Sequence, residues 1–288
     1  MKGIILANKK STNLLPLTEV TSKYLLPIYN KPMIYYPLSV LMLAGIQEVL
    51  LIVNEDDQNR IEHVLGNGNQ WGVKFSYKSV PASEGELQIL SSCKAFIDND
   101  SICVIAGDTI LYGSNFFSNL IQDSGKIENG AFVFAYGISE EHGYDMIEID
   151  EDDNPILLKK RNSIPPSNYA IPGIYFFDQS VREKVEHFLD EPGNHTEMID
   201  LLSIYLQQNE LRVFRFGRGF AWLDADSHSA LVSTANFIRT IEYRQGLMIA
   251  CPEEIAFTNG WITEDQLHEI VAQMSENEYR DYLANLLV

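Results

Sequence analysis

The sequence predicts an α/β protein with a Rossmann-like, doubly wound and mostly parallel sheet. The first observation is a set of short apolar runs typical of buried strands, among them Gly3–Ala7, Glu48–Val53 and Ile102–Ala106. The second is that segments with apolar residues at helical spacing alternate with these runs through short connections. Right-handed crossovers then place the loops 8–13 and 107–112 on the same rim of the sheet.

Each element of the first half has its own local signal. Ile34–Leu43 has apolar side chains at helical spacing and ends near a glycine suited to a C-cap. Asp56–Leu65 is amphipathic and ends at Gly66, whereas Val73–Lys78 alternates as a half-buried strand does. The remaining predicted elements of this half are the helices Gly85–Ile97 and Asn115–Gln122 and the strand Gly130–Tyr136.

The alternation changes in the second half. Tyr144–Asp150 and Pro155–Arg161 flank an acidic turn and predict a β-hairpin. We predict an α/β domain at residues 1–245 and a C-terminal helical oligomerisation segment at residues 246–288. The later predicted strands are Ala170–Phe177, Leu211–Phe216 and Ala221–Leu223, and the later predicted helices are Val181–Leu189, Glu197–Gln207, Ser227–Gln245, Thr263–Met274 and Glu278–Leu287.

The composition restricts the classes of partner. The 288 residues include 21 Lys and Arg against 40 Asp and Glu, for a net charge of -19. Such acidity argues against nucleic acid and anionic membranes as partners, and it requires any phosphate site to be a local basic pocket. Three widely spaced cysteines argue against zinc or a disulfide framework. We find no signal peptide and no apolar run of the roughly 20 residues that a membrane span needs, so we expect a cytoplasmic protein.

Several motifs together carry a family resemblance. They include the segments 2–7, 16–18 and 22–27, Lys31–Leu38 with the sequence KPMIYYPL, Gly217–Asp224 with GRGFAWLD, and Gly246–Ala256 with GLMIACPEEIA. These segments resemble the sugar-phosphate nucleotidyltransferases, and most nearly the glucose-1-phosphate thymidylyltransferases. The resemblance implies a Rossmann-like core with an inserted sugar-binding lobe and a C-terminal region that forms dimers or tetramers. It also implies a reaction that joins a nucleoside triphosphate (dTTP) to a sugar 1-phosphate (glucose 1-phosphate) and releases pyrophosphate.

The same resemblance assigns site residues. Asp108 and Asp224 match the two aspartates that hold Mg²⁺, although a Gly-Asp pair after a strand is also typical of a turn or a helix cap. Lys23 matches a lysine that contacts phosphate, and its retention favours an active site. The positions implied for substrate binding are Gly85, Gln88, Tyr144, Arg161, Gly173 and Glu197.

The loop after the first strand departs from the family. Asn8, Lys9 and Ser11 stand where the family has glycines, and Asn13 stands where it has an arginine that carries charge during transfer. Glycine allows positive φ and close backbone approach to phosphate, which lysine does poorly. Losing one such cation typically costs a few orders of magnitude in rate. A basic set either holds a different anion or is simply solvated: Lys9, Lys10, Lys23, Lys159, Lys160 and Arg161.

These departures favour a diverged, catalytically impaired homologue that binds a nucleotide, a nucleotide sugar or a partner subunit. The alternative is an active, Mg²⁺-dependent sugar nucleotidyltransferase with altered specificity. A third hypothesis is a regulatory subunit that forms a hetero-oligomer with an active relative. We expect a homo-oligomer in the first two cases.

Overall fold

The structure is a computed structural model of the chain. It describes residues 1–113, 129–138, 143–161, 169–190 and 196–287. The chain divides into two compact units, and each unit combines separate stretches of sequence. The first unit contains Met1–Ile4, Ser83–Ile105 and Gly113–Trp222, and the second contains Ile5–Ala82, Ala106–Tyr112 and Leu223–Val288.

The strands and helices of the described residues are numbered in chain order. The strands are β1 (Lys2–Ala7), β2 (Pro27–Ile28), β3 (Lys31–Pro32), β4 (Glu48–Val53), β5 (Lys74–Ser79), β6 (Ile102–Ala106), β7 (Ile110–Tyr112), β8 (Ala131–Gly137), β9 (Met146–Ile149), β10 (Pro155–Lys159), β11 (Tyr169–Ala170), β12 (Ile174–Phe177), β13 (Leu211–Arg215) and β14 (Ala221–Leu223). The helices are α1 (Leu17–Val20), α2 (Tyr35–Leu43), α3 (Gln58–Leu65), α4 (Glu86–Ser92), α5 (Lys94–Ile97), α6 (Val181–Asp190), α7 (Met198–Gln207), α8 (His228–Gln245), α9 (Pro252–Thr258), α10 (Glu264–Gln273) and α11 (Glu278–Asn285).

The second unit contains parallel strands. Strand β4 pairs in parallel with β5, with Glu48 opposite Lys74 and Val53 opposite Ser79, and β4 also lies beside β1. Every residue of β4 after its first is buried. A strand covered on both faces selects apolar residues at consecutive positions, which explains the continuous run EVLLIV. Helix α2 contacts α9 in the same unit.

Strand β8 is the centre of the first unit. It pairs in parallel with β13 and antiparallel with β11 and β12, and β12 also pairs antiparallel with β6. Strands β9 and β10 form the predicted hairpin, and β11 pairs with β9. Phe134 packs edge-on against Phe176 and stacks on Phe216 at 4.7 Å between ring centroids. Aromatic packing of this kind stabilises the face of β8 that the sequence makes apolar.

The α/β fold class with a mixed sheet is confirmed, and most predicted elements are present within a few residues of their predicted ends. The predicted helix Gly85–Ile97 forms two helices, because Cys93 has φ -98° and ψ 9° and ends α4 as α5 begins. The predicted strand Ala170–Phe177 is also divided, since Gly173 has φ +57°. The predicted helix Asn115–Gln122 lies outside the described residues.

Helix α9 was not predicted, although Pro252 occupies its first turn, where proline is favoured. The predicted domain boundary after residue 245 stays a prediction. The helices of the described residues include none that combines the length and the apolar character needed to cross a membrane.

Candidate active site

A buried lysine between two carboxylates is the main feature of the second unit. Lys23 starts a 3₁₀ turn, Asp108 follows β6 along the chain, and Asp226 precedes α8. Lys23 Nζ lies 2.5 Å from Asp108 Oδ2 and also pairs with Asp226 Oδ1. The lysine side chain is only 7% exposed. The structure therefore brings together two of the predicted site residues, Lys23 and Asp108.

Gly107 explains how Lys23 and Asp108 come within contact distance of each other. A Cβ atom at this position would lie 2.9 Å from the ring of Tyr24 and 3.0 Å from Cβ of Ala7, which is too close for carbon atoms. The Gly107 N–H donates to the carbonyl of Leu6 at 2.9 Å. The absence of a side chain lets Tyr24, the neighbour of Lys23, pack directly over the backbone that precedes Asp108. Local packing therefore sets the position of the ion pair.

Asp224 joins the same region through the start of α8. Its Oδ1 accepts the backbone N–H of Asp226 at 2.8 Å, and its carbonyl accepts the hydroxyl of Thr234 at 2.6 Å. The Ser227 side chain caps the helix by accepting the N–H of Ala230. These bonds fix the turn 224–227 and place the carboxylate of Asp226 against Lys23.

The cluster places two carboxylates against one ammonium group, and these charges together with burial shift the pKa values of its members. Burial lowers the pKa of Lys23, but the charges of Asp108 and Asp226 outweigh burial and hold this pKa above its usual value. Burial raises the pKa of Asp226, and the neighbouring charge of Asp108 raises it further, against the lowering effect of Lys23. Lys23 is therefore protonated at neutral pH, and a further cation would relieve the repulsion between the carboxylates.

The carboxylates of this region are the kind of ligand that binds Mg²⁺ in proteins. Among the residues that the structure describes, no three acidic, histidine or cysteine side chains are grouped as a metal cage. Mg²⁺ seldom needs one, because it usually binds one or two carboxylates together with water and substrate phosphates. Asp108, Asp224 and Asp226 supply carboxylate oxygens of the required kind.

The backbone conformation of the loop 8–13 is compatible with the side chains that replace the glycines. Asn8 is fully buried, and its Nδ2 donates to the carbonyl of Pro81 at 3.2 Å. The hydroxyl of Thr18 donates to the carbonyl of Ser11 at 2.8 Å. None of these loop residues has positive φ. The strain expected for Lys9 in a left-handed conformation is therefore not present, and Asn13 is exposed.

Beside this loop lies a pocket of about 420 Å³, formed within the second unit. Its basic lining residues come from the loop, from the turn after α1 and from α3. Sequence reasoning missed the contribution of Asp56, Asp57 and Arg60. A signal was available, because these residues follow the buried strand β4, and ligands of α/β proteins bind beyond the carboxyl ends of strands. The basic lining residues are Lys9, Lys10, Lys23 and Arg60.

A second ion-pair cluster lies in the first unit. Arg161 Nη2 lies 3.4 Å from Glu197 Oε1 and 3.6 Å from Asp145 Oδ2. Lys160 Nζ lies 2.7 Å from Asp200 Oδ1 and 3.6 Å from Glu197 Oε2. The structure therefore brings the predicted residues Arg161 and Glu197 together. The sequence analysis missed the partner role of Asp200, which also joins Glu197 in a capping box at the start of α7.

The other predicted site residues of the first unit are Gly85, Gln88, Tyr144 and Gly173. A Cβ at Gly85 would lie 2.2 Å from Oε1 of Gln88, so these two residues are in contact. The ring of Tyr144 lies 4.6 Å from that of Trp222. Gly173 lies between β11 and β12. The roles assigned to these residues in substrate binding stay predictions.

The family model described as "Nucleotidyl transferase" matches residues 2–241 of this chain. The chain belongs to this family. A glucose-1-phosphate thymidylyltransferase of Neisseria meningitidis is 40% identical over 287 residues, which cover 100% of this chain and 99% of the relative. One of Xanthomonas campestris is 41% identical over 285 residues, or 99% of this chain and 96% of the relative.

Solved structures agree on the fold. A Bacillus anthracis protein provisionally named a glucose-1-phosphate thymidylyltransferase has a TM-score of 0.75 and 28% identity, over 83% of this chain and 95% of its own. These similarities confirm the predicted family and its Rossmann-like core. They favour the alternative hypothesis of an active enzyme over impairment, which no feature of the described residues shows.

Proposed function

We propose that this member of the nucleotidyl transferase family is active. It joins dTTP to glucose 1-phosphate, the substrate in the names of its relatives, and releases pyrophosphate. The observation that carries this proposal is the buried contact of Lys23 with Asp108 and Asp226 in the second unit.

The energetics of that contact favour a functional role. Burying the charge of Lys23 costs several kcal/mol in desolvation, and pairing with its partly exposed carboxylate partners often does no more than offset this cost. A buried charge cluster is thus weak evidence for stability. Charged groups held close together with shifted pKa values are instead frequent at functional sites. The pKa values of Lys23 and Asp226 are both shifted in this way.

The reaction requires alignment and neutralisation of charge more than covalent help from the protein. We assign Lys23 to the phosphate groups, where its protonated amine offsets developing negative charge. Asp108 and Asp224 would hold Mg²⁺, which supplies further charge neutralisation at the phosphates when bound. For the first unit we propose contacts with the base from Gly85 and Gln88. The sugar phosphate would be bound by Tyr144, Arg161, Gly173 and Glu197.

The test is a pyrophosphate assay with Mg²⁺, glucose 1-phosphate and each nucleoside triphosphate in turn. We expect turnover of roughly 1 s⁻¹ or faster with dTTP, within the usual enzyme range. Lys74→Gln is a matched control, because Lys74 forms an exposed ion pair with Glu48 away from the pocket. Wild-type protein that releases no pyrophosphate with any triphosphate would contradict the proposal.

A second candidate is a non-catalytic protein that binds a nucleotide or a nucleotide sugar. The observation in its favour is that Asp226 adds a carboxylate to Lys23, with which an anionic substrate must compete. Calorimetry with dTTP and with dTDP-glucose, combined with the turnover assay, separates the two. Binding without turnover would support this second function.

We further propose that the chain forms homo-oligomers. Support comes from exposed apolar side chains on and directly after α8, namely Val232, Tyr243 and Leu247, which are 62%, 83% and 55% exposed. Val232 and Tyr243 are eleven residues, or about three helical turns, apart and so lie on the same side of α8, where an apolar side chain of a partner chain could cover them. Mass measurement in solution should give a dimer or a tetramer, and a clean monomer would refute this proposal.

A further inference from the structure

The pocket beside the loop 8–13 is a local basic site in an acidic protein. The chain carries a net charge of -19, so its overall field repels polyanions. In this pocket, however, four cationic side chains face three acidic ones. The cations are Lys9, Lys10, Lys23 and Arg60, and the acids are Glu19, Asp56 and Asp57.

One residue that lines the pocket carries a buried hydroxyl without a hydrogen-bond partner among the described residues. The Ser22 side chain is only 4% exposed, and its Oγ has no hydrogen-bond partner within the described residues. A buried hydroxyl without a partner costs free energy, and such groups in native structures usually have a bonding partner. Ser22 lines the pocket directly beside Lys23 in sequence. Because the Oγ itself is buried, the side chain would have to turn toward the pocket before a phosphate oxygen there could accept its hydrogen bond.

Lys10 is a cation of this pocket with an exposed and readily exchanged partner. Its Nζ lies 2.5 Å from Asp56 Oδ2, and the two side chains are 61% and 72% exposed. Ion pairs this exposed contribute little, because water and salt screen the attraction between the two charges. A polyphosphate, which offers several negative charges, can therefore displace the carboxylate at little cost. Lys23 differs, because its partners hold it in a buried position.

We infer that Lys10 binds the triphosphate of the nucleotide substrate, exchanging the carboxylate of Asp56 for phosphate oxygens when the nucleotide enters the pocket. This assignment rests on the proposed function, and it makes Lys10 a specificity-determining residue for the length of the phosphate chain. Asp56 acts as the counter-ion of the empty pocket. Its removal should therefore favour binding, whereas removal of Lys10 should weaken it.

The test is calorimetric titration with dTTP and dTMP in the absence of sugar phosphate. Lys10→Gln should weaken binding of dTTP about 10-fold, as loss of one charged contact does, and should change binding of dTMP less. Asp56→Asn should strengthen binding of dTTP several-fold, and Lys10→Arg should restore most of the lost affinity. Lys74→Gln, which alters an exposed ion pair outside the pocket, should bind dTTP as the wild type does.

The dependence of dTTP affinity on salt concentration is a second measurement on the same proteins. The affinity of the wild type for dTTP should fall as ionic strength rises, and Lys10→Gln should show a weaker dependence, because fewer charged contacts are screened. Unchanged affinity of Lys10→Gln, or weaker binding by Asp56→Asn, would overturn the assignment of Lys10. The absence of any dTTP binding to the wild type would also overturn it.

Pyrophosphate release from the same samples separates this inference from the proposed function. Binding of dTTP that depends on Lys10, without turnover, refutes the activity and supports the role of Lys10. If the wild type and Lys10→Gln both turn over and bind dTTP with equal affinity, the role of Lys10 is refuted and the activity is supported.

Discussion

The two charge clusters of this protein are built in opposite ways. In the second unit the cation is buried, since Lys23 is 7% exposed, whereas its partners Asp108 and Asp226 are 29% and 51% exposed. In the first unit two of the three acids are largely buried, since Asp145 and Asp200 are 8% and 10% exposed, whereas Glu197 is 33% exposed. Arg161, the partner of Asp145, is 45% exposed.

The difference in burial determines which charged groups of each cluster can contact a ligand. A buried lysine with accessible carboxylates offers those carboxylates to a metal ion and its own charge to an incoming phosphate. A buried carboxylate such as Asp145 mainly accepts protein hydrogen bonds, here from the backbone N–H of Arg161 at 3.0 Å. We therefore expect mutations in the second unit to affect the rate, and mutations of buried acids in the first unit to affect stability.

The largest expected effect is on turnover in Lys23→Ala. Removing a cation that stabilises a developing charge typically costs 10²–10³-fold in rate, or about 2.7–4 kcal/mol. The pyrophosphate assay measures this loss directly, with circular dichroism to check folding and Lys74→Gln as the control. A variant that keeps wild-type turnover would show that the buried lysine is not part of the active site.

Next in size is the effect of Asp145→Ala on stability. The substitution removes the hydrogen bond that the backbone N–H of Arg161 donates to the buried carboxylate of Asp145, and the loss of a hydrogen bond to a charged group costs about 1.5–3 kcal/mol in the free energy of unfolding. Urea denaturation measures the change. Lys160→Gln serves as the comparison, because Lys160 is 48% exposed and its loss should cost less than about 1 kcal/mol. Equal costs for the two substitutions would refute the contrast between buried and exposed partners.

Asp226→Asn should have the smallest effect, and its sign depends on pH. The pKa of Asp226 is raised by burial and by Asp108 above its ordinary value of 3.8. The folded protein therefore holds the proton more tightly than the unfolded chain, so its stability falls as pH rises above about 3.8. Asparagine does not ionise, so the variant does not lose stability in this way and should be more stable than the wild type at neutral pH. The difference should be less than about 1 kcal/mol, because the side chain of Asp226 is 51% exposed. Denaturation at pH 4 and pH 7 tests this, and a variant that is less stable at neutral pH would contradict it.

The sequence predicted the positions of the buried strands well. The apolar runs of β1, β4 and β6 predicted buried strands, whereas Lys23 and Asp108 were assigned to one site only through the family resemblance. The contact between Lys23 and Asp226 could not be read from local patterns, because the residues are 203 positions apart and meet only through the packing of the turn before α8.

The loop 8–13 shows a different limit of sequence reasoning. Its composition predicted strain at Lys9, but the backbone avoids positive φ, and Asn8 turns inward to donate to Pro81. The pairing of Lys10 with Asp56 likewise depends on the tertiary neighbour, since α3 was predicted without its relation to the loop. Tertiary contacts thus decided which side chains face the pocket.

Turnover by the wild type compared with Asp108→Asn, each with dTTP, glucose 1-phosphate and Mg²⁺, tests the central claim most directly. Asp108 contacts Lys23 at 2.5 Å, so the account predicts rapid pyrophosphate release by the wild type and a loss of at least about 100-fold in the variant. Equal rates, or no release by either protein, would contradict it.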